Sequence, residues 1–244
     1  MIIKIKSVAH KLGVFPLARS VYRRLNSRHR GEREVNRNFY RQIINKGDLC
    51  FDIGANVGQS IEVFNDLGAR IVAVEPNPNC LSVLRFQFGR NPNITLLHKG
   101  MGSRPGTAEL HFLDTDSTAS MRADWPYPTD QTVEVEIDTL DNLIAQFGRP
   151  RFIKIDVEGF ELEVFKGLSE PIPLIYFEMH GHEIERAKQI LEHLDGLGEI
   201  IGVNATDAHN SVWLIDEWVA PDQLIERLGN PLPKVANIVV KMNT

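Results

Sequence analysis

Lys154, Asp156 and Glu158 stand two residues apart in FIKIDVEGFELEVFKG (152–167), a stretch that otherwise reads as a buried strand running into a helix. Side chains alternate along a strand, so Phe152, Lys154, Asp156 and Glu158 are expected on one face and Ile153, Ile155 and Val157 on the other. A buried lysine is costly unless it is paired. The expected partner of Lys154 is Asp156 or an acid on a neighbouring strand. Carboxylates at a strand end can take the proton of a hydroxyl acceptor, or orient that acceptor or an amine. His180 ends a later strand pattern in FEMHG and brings an imidazole that titrates near neutrality. Asp156, Glu158 and His180 are therefore the candidate catalytic residues, with Glu158 or His180 as base and Asp156 as the orienting group. The plain alternatives are that Glu158 and Glu161 are first-turn acids favoured by a helix dipole, and that His180 bonds to backbone. His180, His182, Glu178 and Glu183 are ligand-type side chains, but further ligands at recognisable spacing are missing, so no metal is expected.

A second cluster lies in DIGANVG (52–58), where a strand pattern meets a helix pattern. Gly54 and Gly58 allow a tight turn and a close approach of backbone to a ligand. The spacing is G-x-x-x-G, not the G-x-G-x-x-G of a dinucleotide site, and Asp52 would repel a pyrophosphate. An acid beside glycines suits a small zwitterionic cation such as S-adenosylmethionine. Glu75 closes the following strand pattern, about one β-α unit later, where an acid can accept from two ribose hydroxyls. The alternative is that Asp52 and Glu75 each cap the helix that follows.

These residues need a sheet to hold them. LCFDIG (49–54), RIVAVEP (70–76), ITLLHKG (94–100), RFIKID (151–156), LIYFEM (174–179) and EIIGV (199–203) have strand character. Helical periods occupy 57–68, 77–91, 159–168 and 182–198 between them. The alternation predicts a parallel α/β sheet with right-handed crossovers, whose ligands bind beyond the carboxyl ends of the strands. The rhythm breaks after Gly100. GTAELHFL (106–113) and TVEVEIDTL (132–140) are expected as strands around a polar loop, and 141–148 as a helix started by Asp138 or Thr139. That loop holds Ser117, Thr118, Ser120, Trp125, Tyr127 and Asp130, types that suit stacking on a sugar. SVWLID (211–216) and ANIVVKM (236–242) are late strand candidates and 221–229 a late helix. Residues 2–25 and 32–45 have helical character, the first broken near Gly13–Pro16.

DIGANVGQS, VAVEPNP, IDTLDNL and KIDVEGFELEVFKG, in this order, resemble the FkbM-type S-adenosylmethionine-dependent methyltransferases over about residues 40–205. The resemblance implies the class I methyltransferase fold: a Rossmann-like sheet of seven strands, six parallel and the last antiparallel, with helices on both faces. It implies that Asp52, Gly54, Asn56 and Gly58 line the methionine and ribose part of the cofactor and that Glu75 takes the ribose diol. Met101 stands at the adenine-contacting place, in HKGMGSRPG where many members have an Asn-Ala-Leu-Gly-like stretch. Asp156 is a candidate for the methionine amine. The implied reaction is O-methylation of a hydroxyl on a sugar, glycan or natural product. A non-catalytic scaffold that keeps the fold is the rival.

Bulk properties agree with a single domain. The chain has 244 residues, 43% hydrophobic and 24% charged, near the soluble average. No apolar run approaches the ~20 residues of a membrane span, no signal peptide is read, and two cysteines make neither a disulfide framework nor a metal set. A cytoplasmic location follows as an expectation. Charge is uneven: residues 1–47 carry 12 Lys/Arg against 2 Asp/Glu, and the remainder 15 against 30. The expected organisation is a basic helical arm (1–45) on a methyltransferase domain (46–244). The arm suggests a phosphorylated or lipid-linked acceptor, or peripheral contact with an anionic inner-membrane face through Ile2, Ile5, Val8 and Leu12. The arm alternatively packs on its own acidic body. Nucleic acid is not expected, because the acidic body repels phosphate and no N-P-P-Y-type motif is present.

Overall fold

The computed structural model describes residues 27–112, 119–122, 124, 129, 131–208 and 211–244. The expected helix over 2–25 lies outside them. Helix α1 (Ser27–Tyr40) precedes β1 (Leu49–Ile53), α2 (Gln59–Asp66), β2 (Arg70–Val74), α3 (Pro78–Phe88) and β3 (Ile94–Leu97). After an insertion come α4 (Leu140–Phe147), β8 (Phe152–Ile155), α5 (Glu161–Phe165), β9 (Leu174–His180), α6 (Ile184–Leu197), β10 (Ile200–Asp207), α7 (Leu224–Leu228) and β11 (Val235–Met242). The caps follow local chemistry. Asn77 accepts from the Asn79 amide ahead of Pro78, and Thr139 accepts from the Asn142 amide.

Seven strands form one sheet in the order β10-β11-β9-β8-β1-β2-β3. Only β11 runs against its neighbours, so six strands are parallel and the last is antiparallel. This is the class I methyltransferase topology. Strand order reverses between β1 and β8, which opens a crevice at their carboxyl ends. Two apolar layers sandwich the sheet. Phe51, Ile53, Ile153 and Ile155 face α4–α6, while Cys50 and Phe152 face α1 and α2. On the latter side Tyr40 meets Phe64 and Phe152 edge-on, at centroid distances of 4.9 and 5.9 Å. Fully burying each such ring contributes about 2 kcal/mol. Arg33 of α1 binds Asp66 of α2 at 2.5 Å.

The third strand expected through Gly100 divides. β3 stops at Leu97, and β4 (Gly100–Met101) joins β5 (Gly106–Phe112), β6 (Ala119–Ser120) and β7 (Gln131–Asp138) in a second sheet, ordered β4-β7-β5-β6. A Cβ at Gly100 would come within 2.6 Å of Ile137 and 2.7 Å of Met121, so glycine lets β4 pack against β7 and the residue that follows β6 within the second sheet. The strand expected over 211–216 does not form. Ser211 has φ +48, and the segment meets β10 at the isolated Thr206–Trp213 bridge, through neighbouring backbone bonds, and where Asn204 Nδ2 donates to the Ile215 carbonyl at 3.0 Å. Among the described residues no helix is long and apolar enough to cross a membrane.

Candidate active site

The glycine turn is built for close approach. Gly54 has φ +80, and a Cβ there would overlap the carbonyl oxygen of Asp156, so the β1 and β8 ends touch backbone to backbone. The Asn56 amide donates to Glu75 Oε2 at 2.6 Å and the Asn77 amide to Glu75 Oε1 at 2.8 Å. Glu75 thus ties the first and second strand ends together. Burial raises its pKa to about 7, against the pull of those two amides. Its carboxylate lines a cleft with Gly54, Asn56, Met101 and Asp156, and with Leu110 and Ala119 of the second sheet and Met121 just after β6.

The charged strand has its explanation in the next layer. Lys154 Nζ lies 2.9 Å from Asp156 Oδ2 and 3.9 Å from Asp52 Oδ1, so both kinds of expected partner are present. Asp52 is wholly enclosed, and among the described residues neither carboxylate oxygen has a hydrogen-bond donor. Burial raises its pKa to about 6, with Lys154 opposing. Burial pulls Lys154 down, but Asp156 and Asp52 outweigh it and hold the ammonium above the ordinary lysine range.

Glu158 departs from the expected face. β8 ends at Ile155, Glu158 has φ +54 and Gly159 φ +87, so the two-residue alternation holds only to Asp156. Two side chains pin this turn. Ser120 Oγ donates to the Glu158 carbonyl at 2.9 Å, and Glu161 Oε1 accepts from the Val157 and Gly159 amides at 3.0 and 3.2 Å. Glu161 is therefore a buried turn clamp at the start of α5; burial raises it to about 7. The turn carries Glu158 toward β9. Single donor atoms of Glu158, Glu178 and His180 lie within 4.8 Å of one another. Burial, then the charges of Asp156, Glu178 and Glu161, raises Glu158 to about 8. His180 Nε2 sits 3.1 Å from Glu178 Oε2, and this contact raises the imidazole above its ordinary value. The ligand-type side chains of 178–183 do not converge as a set, because Arg122 grips Glu183 at 2.6 and 2.8 Å. The third group near Glu178 and His180, Glu158, comes from the turn after β8.

Of the residues singled out from sequence, Gly54, Asn56, Glu75, Met101, Asp156 and Glu158 line the first cleft. Asp52 and Gly58 do not. Asp52 stands behind the wall as the charge partner of Lys154, and Gly58 (φ +86) starts α2 against Phe88 and Leu84. His180 lies beyond Glu178 at the rim. Ser120 is buried beside Glu158, between the cleft-lining Ala119 and Met121, while Ser117, Thr118, Trp125, Tyr127 and Asp130 lie outside the described residues. A second, polar cleft of about 320 Å³ shares Gly54, Asn56 and Asp156 with the first and runs under α1, past Tyr176 and Glu178. Nothing local in the sequence announced it: its walls come from α1, α2, β8, β9 and β11.

The chemistry of the first cleft fits S-adenosylmethionine. Glu75 can accept from a ribose diol, Ile53, Val74, Met101 and Leu110 offer apolar surface to a base, and Asp156 can face an ammonium. A family model described as the methyltransferase FkbM domain matches residues 52–208. The hexuronic acid methyltransferase AglP of Haloferax volcanii is 26% identical over 151 residues, which is 61% of this chain and 61% of that protein. The chain thus spans about three fifths of the length of the curated relative it matches. Among solved structures, a TehB-like methyltransferase from Corynebacterium glutamicum is similar at TM-score 0.47 and 11% identity, covering 96% of this chain and 99% of that one. The precorrin-6y C5,15-methyltransferase of Geobacter metallireducens is similar at TM-score 0.43 and 17% identity, covering 87% of each. The strand order β10-β11-β9-β8-β1-β2-β3, with β11 antiparallel, is by itself that of a class I methyltransferase sheet. With the motif order, the sheet topology and the match over most of the domain in agreement, the chain belongs to the FkbM methyltransferase family, whose cofactor is S-adenosylmethionine.

Proposed function

We propose that the protein methylates a hydroxyl oxygen of a sugar. The observation that carries this is the junction of the two clefts at Gly54, Asn56 and Asp156, with Glu158, Glu178 and His180 beside it. When bound, S-adenosylmethionine supplies a methyl group on a sulfonium. That methyl would go to the acceptor oxygen with the C–S electron pair left on sulfur, so the chain's own residues have to align the oxygen and take its proton. The hydroxyl proton passes to a rim base, Glu158 or His180. Asp156, fixed by Lys154 at 2.9 Å, orients the acceptor or the methionine amine. Glu75 would hold the ribose, and Met101 would flank the adenine. A sugar acceptor is favoured by the likeness to a hexuronic acid methyltransferase.

On the same reading, residues 46–244 form the catalytic domain, and the basic arm of 1–45 meets an anionic partner, a phosphorylated or lipid-linked acceptor or an inner-membrane surface. Calorimetry with S-adenosylhomocysteine, beside methyl transfer from labelled S-adenosylmethionine to a glycan panel, tests this. Micromolar binding that Glu75→Ala abolishes, with label in a base-stable ether, is the expected result. A folded protein that binds no S-adenosylhomocysteine, or label found only in a base-labile ester, overturns it.

A further inference from the structure

We infer that the second cleft is the acceptor site and that it selects a neutral, hydroxyl-rich ring over a uronate. This rests on the methyltransferase reading above and goes beyond it in assigning the place and charge of the acceptor. The cleft has about 320 Å³, at the lower end of the range of about 300–1,000 Å³ for small-molecule sites. It meets the cofactor cleft at Asp156, where the methyl group must be delivered. Asn36, Gln59, Ser60 and Asn237 line it, side chains that both donate and accept, as a ring of hydroxyls does.

Its charges decide the acceptor class. Asp156 and Glu178 stand at the delivery end. Among the described residues the cations on its wall are Arg33 and Lys154, and each already serves a protein carboxylate: Arg33 binds Asp66 at 2.5 Å, and Lys154 binds Asp156 at 2.9 Å. Among the described residues no cation on the wall is left for a sugar carboxylate, which would enter beside like charges in a partly enclosed space where screening is weak. Neutral hydroxyls carry no such penalty. Part of the wall also lies outside the family domain of 52–208: Arg33 and Asn36 precede it, and Ser211 and Asn237 follow it. Ser211 Oγ donates to Asn36 Oδ1 at 2.7 Å, which fastens α1 to the segment after β10 and closes that wall. Members of one family can thus share the methyl-donor cleft and differ in the acceptor.

The test uses the full chain saturated with S-adenosylhomocysteine, and matched methyl glycosides of glucose, galactose and mannose beside the corresponding methyl uronosides, read by saturation-transfer NMR. At least one neutral glycoside is expected to bind at least tenfold more tightly than its uronate partner. Gln59→Lys, which leaves the Ser211–Asn36 contact intact, is expected to shift that ratio at least tenfold toward the uronate without changing S-adenosylhomocysteine affinity. Asn36→Lys serves as the second variant. Uronates binding as well as or better than neutral glycosides, no neutral glycoside binding, or a ratio unmoved in both lysine variants overturns the inference. Failure to bind S-adenosylhomocysteine would instead strike the methyltransferase reading itself.

Discussion

Replacing Lys154 by methionine separates the charge network of the sheet from its packing. Lys154 has a side chain 11% exposed and serves two acids of different burial: Asp52, wholly enclosed, and Asp156, about one third exposed. Methionine keeps most of the apolar stem and removes the charge. Water can take over at Asp156, but nothing among the described residues replaces the ammonium at Asp52, whose oxygens have no hydrogen-bond donor there. Removing one partner of a buried pair costs about 3–5 kcal/mol, and the exposure of Asp156 places this case near about 3 kcal/mol above neutrality. Asp52 is raised to about 6, above the ordinary 3.8, so its contribution to stability is fully present below 3.8 and is lost as pH rises through 6. Loss of Lys154 lifts that pKa further and widens the window over which stability falls. At about pH 5 Asp52 is mostly neutral in both proteins, so the cost should shrink by at least ~1.4 kcal/mol, the equivalent of one pKa unit. Urea unfolding followed by circular dichroism at both pH values measures this, with Asp52→Asn added to Lys154→Met expected to restore part of the loss. A deficit under about 1 kcal/mol near pH 8, or an equal deficit at both pH values, would refute the assigned role of Lys154 as the counter-charge of Asp52.

Two further outcomes follow from the site. Gly54→Ala should lower stability by about 2 kcal/mol or more, through φ +80 and overlap with the Asp156 carbonyl, and S-adenosylhomocysteine binding should vanish with it; a variant of native melting temperature and affinity contradicts the close approach of β1 and β8. If Glu158 is the base it must be ionised to act, so kcat/KM should rise with pH through an apparent pKa near 8, and Glu158→Gln should lose that limb; the profile is measured with chelator present so that no cation on Glu158, Glu178 and His180 sets it, and a flat wild-type profile removes Glu158 from the role.

Sequence alone determined what local pattern can encode. Alternation and turn residues specified β1, β2, β8, β9 and β11 and the helices between them, because strand and helix periods are properties of neighbouring residues. Gly54, Asn56, Glu75 and Asp156 were legible for the same reason: each sits at a strand end, and parallel strands bring their carboxyl ends to one rim. Tertiary structure decided what distance and direction control. Lys154 could be assigned a carboxylate from spacing, but the choice of both Asp156 and Asp52 depended on the β1–β8 register, which pairs Asp52 with Lys154. Glu158 left its expected face because Ser120, 38 positions earlier, and Glu161 hold a left-handed turn that no two-residue period predicts. The grouping of Glu158 with Glu178 and His180, the withdrawal of Asp52 behind the cleft wall, and the polar cleft beneath α1 all join residues distant in the chain. Such juxtapositions are set by packing between elements, and packing energy depends on shape in three dimensions rather than on order along the sequence.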